Sequence, residues 1–468
     1  MNRTWKTGLA ATALLLPAIP AMAQDAPPTL SVADTAFVTM CALFVMLMMV
    51  PGLALFYAGL GRAKNVLSVM TQVVATSAMV GVLWIIAGYS LTFAEGGFPA
   101  VIGGTSKLFL MGVGQESLVG ELPEYLYVMF MLMFAAITPA IIIGGFAERV
   151  RFSAVLIFMA VWLFINYVPM AHMAWGGGWV LGMEPQDFAG GNVVHLNAGI
   201  AALVAALMIG PRKGYRVAMM APHNMTMTTT GACMLWVGWL AFCGGCALAA
   251  NGFSMLVMLN TFLGGAAGAM GWMVTEWIHR GRPSTLGILS GIIAGLVAIT
   301  PACGFVSPMG AIVIGFIAAP PCVWAVEYLK HRFGYDDSFD VFGVHGVGAI
   351  VGGVLTVIFA ADVLGGTGFP SGRDMGSQMV VQIGLILFSI VYSLISSYIA
   401  LKVADVIVGL RATEDDEMVG LDISSHGESG YRLDDGQVGE SIYGLAAKAH
   451  GPESALAMAP ARPEPAGR

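Results

Sequence analysis

Charge is what this sequence has least of. Of its 468 residues only 10% are Asp, Glu, Lys or Arg, against roughly 25% in an ordinary soluble domain. Length alone would allow about three soluble domains, but there is too little polar surface to clothe them. Soluble enzymes, nucleic-acid-binding proteins and disordered scaffolds are excluded on that ground. Cysteine is also scarce. Cys41, Cys233, Cys243, Cys246, Cys303 and Cys322 lie in or beside apolar runs. They offer no closely spaced extracellular pair for a disulfide. No second C-x-x-C completes a zinc site with Cys243-Gly-Gly-Cys246. They read as small helix-packing residues, and neither a metal nor a cofactor is expected.

What the chain has in plenty is apolar. Hydrophobic residues make up 57%, with 61 Gly and 31 Met, and the mean hydropathy is +0.80. Such a chain is solvated by lipid. The net charge of −7 is unevenly placed, because from Arg411 onward there are 11 acids and 5 bases, leaving the apolar body nearly neutral. The N-terminus reads as a cleaved secretory signal over 1–23. Arg3 and Lys6 form its basic region, Leu9 to Ile19 its apolar stretch, and Ala21-Met22-Ala23 its cleavage site. The other reading, a first membrane anchor, is opposed by the shortness of that stretch and by Pro17 and Pro20.

Apolar segments long enough for about 30 Å of hydrocarbon follow near 35–60, 65–92, 122–147, 151–172, 192–211, 226–248, 255–279, 285–301, 304–329, 341–361 and 376–409. The fold class expected is therefore an all-α integral membrane protein with eleven transmembrane helices, since the runs are too long for barrel strands. With the N-terminus outside, the cytoplasmic loops hold Arg62, Lys64, Arg149, Arg151, Arg212, Lys213, Arg216, Arg280, Arg282, Lys330 and Arg332. The outer loops hold Lys107 and Arg373. That asymmetry fits the positive-inside rule and puts the acidic C-terminus in the cytoplasm of a bacterial inner-membrane protein.

A short internal repeat accompanies this topology. Val194-His195-Leu196-Asn197-Ala198-Gly199-Ile200 opens the fifth segment and Val344-His345-Gly346-Val347-Gly348-Ala349-Ile350 the tenth. Five spans separate them, so two five-helix halves would be inverted, with an eleventh helix appended. Ionisable groups inside apolar helices usually mark a pathway. A lone histidine is commonly a satisfied core residue; two at equivalent positions point to a shared site able to accept and donate a proton. Depth counted along the helices does not bring them together. Each lies about a turn inside its span from opposite faces, unless Asp187–Gly191 and Asp340–Gly343 dip into the membrane.

The longer motifs resemble those of the ammonium transporters (Amt/MEP/Rh), over roughly 35–432. They are Asp187-Phe-Ala-Gly-Gly-Asn-Val-Val-His195-Leu-Asn-Ala-Gly199, Asp340-Val-Phe-Gly-Val-His345-Gly, Gly145-Phe-Ala-Glu-Arg149-Val-Arg-Phe-Ser153 and Trp175-Gly-Gly-Gly178. The resemblance implies homotrimers of eleven-helix subunits, each with its own apolar pore, and ammonium or ammonia as substrate. It matches His195 and His345 to twin pore histidines that relay a proton. Trp175 and Phe130 match the aromatic residues of an outer recruitment site, and Phe134 and Phe242 a stacked gate beneath it. Asp187 matches a buried carboxylate that shapes the site. Cys246 stands where the family pattern usually has a serine. Without the resemblance, Trp175 and the three phenylalanines read first as interfacial belt residues, and Asp187 as a cap on the backbone of the following helix.

The segment 411–432, from Arg411-Ala-Thr-Glu-Asp-Asp-Glu417 to Tyr431, resembles the family's cytoplasmic tail. That implies packing against neighbouring subunits and docking of trimeric PII-type signalling proteins; the plain alternative is a solvated acidic linker. Beyond Asp435 the Ala-, Pro- and Gly-rich chain reads as disordered. Two other functions stay open. An ammonium sensor with little flux would signal to a cytoplasmic partner, although fewer than sixty residues after Arg411 are few for a signalling domain. An intramembrane enzyme is opposed by the absence of H-E-x-x-H and nucleophile-elbow motifs.

Overall fold

In hydrocarbon an unpaired backbone amide has no water to turn to, so long apolar runs close into helices. The computed structural model describes residues 29–431. Among these, ten helices are long and apolar enough to cross a bilayer. We label them α1 (Val32–Leu60), α2 (Ala63–Phe93), α3 (Glu124–Phe146), α4 (Phe152–Gly182), α5 (Gly191–Ile209), α6 (Met225–Gly245) and α7 (Gly252–Arg280). A shorter apolar helix, α8 (Thr285–Ile299), follows; then come α9 (Pro308–Phe333), α10 (Phe342–Phe359) and α11 (Met375–Val408). The expected segment at 285–301 is thus the one that yields only 15 helical residues. The Thr300 hydroxyl bonds back to the Leu296 carbonyl at 2.7 Å, and Pro301 cannot continue the ladder. The expected signal peptide (1–23) and the segment 435–468 lie outside the described residues.

Small residues set how closely these helices pack, because in a membrane the driving force is close contact rather than hydrophobic burial. A Cβ on Gly315 of α9 would fall 2.1 Å from the Gly264 carbonyl of α7, and one on Gly268 would fall 2.3 Å from the Gly291 carbonyl of α8. Helices α7, α8 and α9 therefore touch backbone to backbone. Helix α5 is enclosed by α3, α11 and the start of α10, and its residues 191–206 are buried except Leu203. That enclosed helix carries His195.

Cationic loop residues also do structural work. Arg149 is fully buried and Arg212 nearly so. Arg212 bonds both oxygens of Asp336 (Nη2–Oδ1 2.8 Å, Nε–Oδ2 2.9 Å) and reaches Glu148 at 3.1 Å, while Arg62 Nε donates to Glu148 at 2.8 Å. Arg149 donates to the Asp336 carbonyl at 2.6 Å. Burial alone would push the Glu148 carboxyl up, but Arg212 and Arg62 outweigh it and hold the group below its usual range.

Residues 410–431 pack on this face instead of forming a solvated linker. Arg151 N donates to the Leu410 carbonyl at 3.0 Å and Ala412 N to that of Arg149 at 3.0 Å. Two short helices follow, α12 (Glu414–Val419) and α13 (Leu421–His426). Asp422 accepts from Leu67 N (3.0 Å) and Ser68 N (2.7 Å), capping the first turn of α2. Tyr431 closes the segment through its hydroxyl, 2.8 Å from His223 Nε2.

Candidate functional site

The two histidines meet. His195 Nδ1 and His345 Nδ1 are 3.3 Å apart and both side chains are buried. Each opens its helix inside a π-helical turn, Gly191–Leu196 and Phe342–Gly346, a local widening found often at functional positions. The chain before each helix is tied to the ends of neighbouring helices. Phe188 N donates to the Pro301 carbonyl (3.0 Å) and Ala189 N to that of Thr300 (3.2 Å); Phe339 N donates to the Gly144 carbonyl (2.9 Å). A buried amide outside a helix needs a partner, and here neighbouring carbonyls supply one.

One contact permits the histidine pair. A Cβ on Gly199, one turn after His195, would lie 2.4 Å from Gly346 N and 2.6 Å from its Cα. Only hydrogen fits there, so α5 and α10 cross at van der Waals distance beside the imidazoles.

Above His195 stands a column of rings. Phe242 is 6.1 Å from His195 and stacks on Phe134 at 4.0 Å with an interplanar angle of 23°. Phe130 (5.2 Å, 70°) and Trp175 (5.9 Å, 81°) both set edges against Phe134. Phe130 and Phe134 share a face because they are four residues apart on α3. Phe130 rests on Gly245, the residue before Cys246, where a Cβ would fall 2.6 Å from its Cζ. The Cys246 thiol donates to the Phe242 carbonyl of its own helix at 3.3 Å.

Asp187 does cap the helix behind it. Its Oδ1 accepts from Gly191 N (2.5 Å), and its Oδ2 accepts from Asn192 N (2.9 Å) and Asn192 Nδ2 (3.1 Å). Burial pushes its carboxyl up while these donors pull the other way, leaving it above the usual range. Gly190, at φ 91°, turns the chain between cap and helix in the left-handed region that glycine allows. One cavity of about 320 Å³ is lined by Trp175, Asp187, Phe188 and Asn192 among others, but not by Phe130, Phe134 or Cys246. A second, of about 300 Å³, is lined by Tyr57, Arg212, Lys330, Asp340 and His345 among others, and is the inner cavity in the reading proposed below.

Sequence reasoning missed Trp239. Its indole stacks on His195 at 4.8 Å and 21°, and its Nε1 donates to Thr300 Oγ1 at 2.8 Å. The available signal was its spacing, three residues before Phe242 and so on the same face of α6.

The Ammonium Transporter Family profile matches residues 36–431. The chain belongs to the ammonium transporter family. It is 43% identical over 403 residues to an ammonium transporter of Bacillus subtilis (strain 168), covering 85% of this chain and 98% of that one. It is 42% identical over 423 residues to an ammonium transporter of Aquifex aeolicus (strain VF5), covering 90% and 98%. The solved structure of Saccharomyces cerevisiae Mep2 superposes with a TM-score of 0.75 at 35% identity, covering 83% of this chain and 89% of Mep2. This ammonium transporter homologue is thus a multi-pass helical membrane protein whose relatives are named as transporters rather than enzymes.

Proposed function

We propose that the protein takes up ammonium across the bacterial inner membrane by separating the ion into ammonia and a proton. The single observation that carries this reading is the continuous path of rings from Trp175 and Phe130, through the stacked Phe134 and Phe242, to the bonded pair His195 and His345. Ammonium gathers at the outer face of Trp175 and Phe130, where cation–π attraction contributes about 0.5–2 kcal/mol. Asp187 shapes this site through the backbone that it caps, and Cys246 stands beside it. Below the Phe134–Phe242 gate, desolvation disfavours the charged form. Ammonium can answer by giving up its proton, and potassium cannot. Ammonia crosses the apolar pore while the proton passes along the histidine pair, so selectivity follows from deprotonation rather than from fit.

In this reading α8 completes eleven spans, arranged as inverted five-helix halves with α11 appended, the N-terminus outside and the C-terminus inside. The equal register of the two histidines and the burial of both preceding segments support it. A cleaved signal over 1–23, a transport domain over 24–410 and a cytoplasmic tail over 411–468 complete the organisation. Subunits assemble as a homotrimer, and a PII-type signalling protein docks at the cytoplasmic face, where residues 410–431 are already packed. Deleting 411–432 should abolish PII binding; retained binding would refute that docking. The alternative, a sensor with little flux, has no particular observation in its favour.

The deciding experiment is charge movement in proteoliposomes after an ammonium jump, with potassium and methylammonium controls. Saturable current with ammonium but not potassium is expected, and it should be lost in His195→Ala and His345→Ala. Internal alkalinisation without current would mean that neutral ammonia alone crosses. Absence of both signals, with folded protein in the vesicles, would sink the transport reading.

A further inference from the structure

The helix bearing His345 has its own carboxylate at its start. Asp337 lies eight residues before His345, as Asp187 lies eight before His195. Asp337 Oδ2 accepts from Phe342 N at 2.7 Å, and Phe342 is three residues before His345, just as Asn192 is three before His195. At 1.5 Å per residue, the capped amide stands about 4.5 Å along the helix axis from the histidine.

The two caps differ in one respect. Both oxygens of Asp187 are filled by donors. Asp337 is 1% exposed, and its Oδ1 is buried with no hydrogen-bond partner. A buried oxygen without a donor is costly as part of an anion, and it is free to carry a proton without disturbing the bond that Oδ2 makes. Burial and the neighbouring Asp340 push this carboxyl up to about 7, against the opposing pull of Lys330 and the Phe342 and Val341 amides. Lys330 donates to the Asp337 carbonyl at 3.2 Å and is paired with Asp340. Both Lys330 and Asp340 line the inner cavity that reaches His345. Arg149 from the α3–α4 connection, Tyr57 from α1 and Tyr335 from the Asp337 loop also lie within reach of its charge.

We propose that Asp337 is a positioning residue for the proton at the inner end of the histidine pair: Oδ2 keeps α10 capped in both charge states, while Oδ1 takes up and releases a proton on the cytoplasmic side. This rests on the transport reading above. When anionic, Asp337 draws positive charge toward His345 from one turn away. When neutral, it leaves the cap in place and removes that pull. Cytoplasmic acidification therefore slows inward proton delivery without unmaking the site.

The test is ammonium-driven current in proteoliposomes with the internal pH varied across neutrality. In the wild type, current falls as internal pH drops through neutrality, with roughly a tenfold contrast between one unit above and one unit below the midpoint. Asp337→Asn keeps an oxygen for the Phe342 amide and never ionises, so its current should not vary with internal pH. Asp340→Asn removes a like charge and should move the midpoint down; Lys330→Met removes an opposite charge and should move it up. An Asp337→Asn protein with the wild-type midpoint overturns the assignment. If that variant conducts nothing, midpoints that fail to move in opposite directions in the other two overturn it instead. Wild-type vesicles without ammonium-driven current overturn the relay reading itself, and this assignment with it.

Discussion

Replacing Gly199 by alanine tests whether the close crossing of α5 and α10 holds the histidine pair together. The added Cβ would meet Gly346 N at 2.4 Å and Gly346 Cα at 2.6 Å, where ordinary contact begins near 3.4 Å. These are backbone atoms, which no side-chain rotation can move aside, so the helices must part by about 1 Å, the difference between those distances. The imidazole nitrogens are already 3.3 Å apart, and that displacement takes them beyond hydrogen-bond range. Overpacking of this kind costs about 1–3 kcal/mol of stability. Charge movement should fall by at least about tenfold, equivalent to roughly 1.4 kcal/mol at the barrier. Proteoliposome currents and a thermal unfolding curve on the same preparation measure both effects. The control is Gly384→Ala on α11, where an added Cβ meets nothing within 4 Å; it should transport normally. A Gly199→Ala protein with wild-type current would refute the argument that this crossing sets the histidine contact.

Three further outcomes follow from named contacts. Cys246→Ser puts a stronger hydrogen-bonding group next to Gly245, on which Phe130 rests, and the half-saturating ammonium concentration should fall by about two- to fivefold; an unchanged value would show that this side chain takes no part in capture. Asp422→Ala removes the acceptor of two amides at the start of α2, and should cost about 1–2 kcal/mol and expose residues 411–431 to limited proteolysis. Arg212→Met leaves Glu148 and Asp336 buried with fewer partners, at a cost of about 3–5 kcal/mol. The same pairs predict the acid limb of stability. Both carboxyls sit below their usual range despite burial, so their contribution is present above about pH 4 and is lost as pH falls through the lower folded values; unfolding midpoints across that window check it.

Much of this molecule is legible in its sequence, for reasons that are local. A long apolar run must become a helix in lipid whatever surrounds it. The ten long helices therefore fall within a few residues of the expected segments at most ends, although α4 runs ten residues further, to Gly182. The capping role of Asp187 was legible too, since the amides that donate to it lie no more than five residues along the chain. The docked segment 410–431 was half legible: its acidic character left a solvated linker as the alternative to a packed tail, and only contacts to Asn65, Leu67 and Ser68, more than 350 residues away in sequence, decide between the two.

The sequence by itself determined that the chain lies in a membrane, where its helices run, and that His195 and His345 each stand near the start of an apolar segment. Only the tertiary structure decided that these two touch. Their contact depends on irregular segments buried against Thr300, Pro301 and Gly144, and on Gly199 meeting Gly346 across 147 positions of sequence. Trp239 against His195, and the spare oxygen of Asp337, belong to the same class. Periodicity reports which face of a helix is apolar. It carries no information about which two helices cross, or at what depth, because that is fixed by the fit of small residues on separate segments.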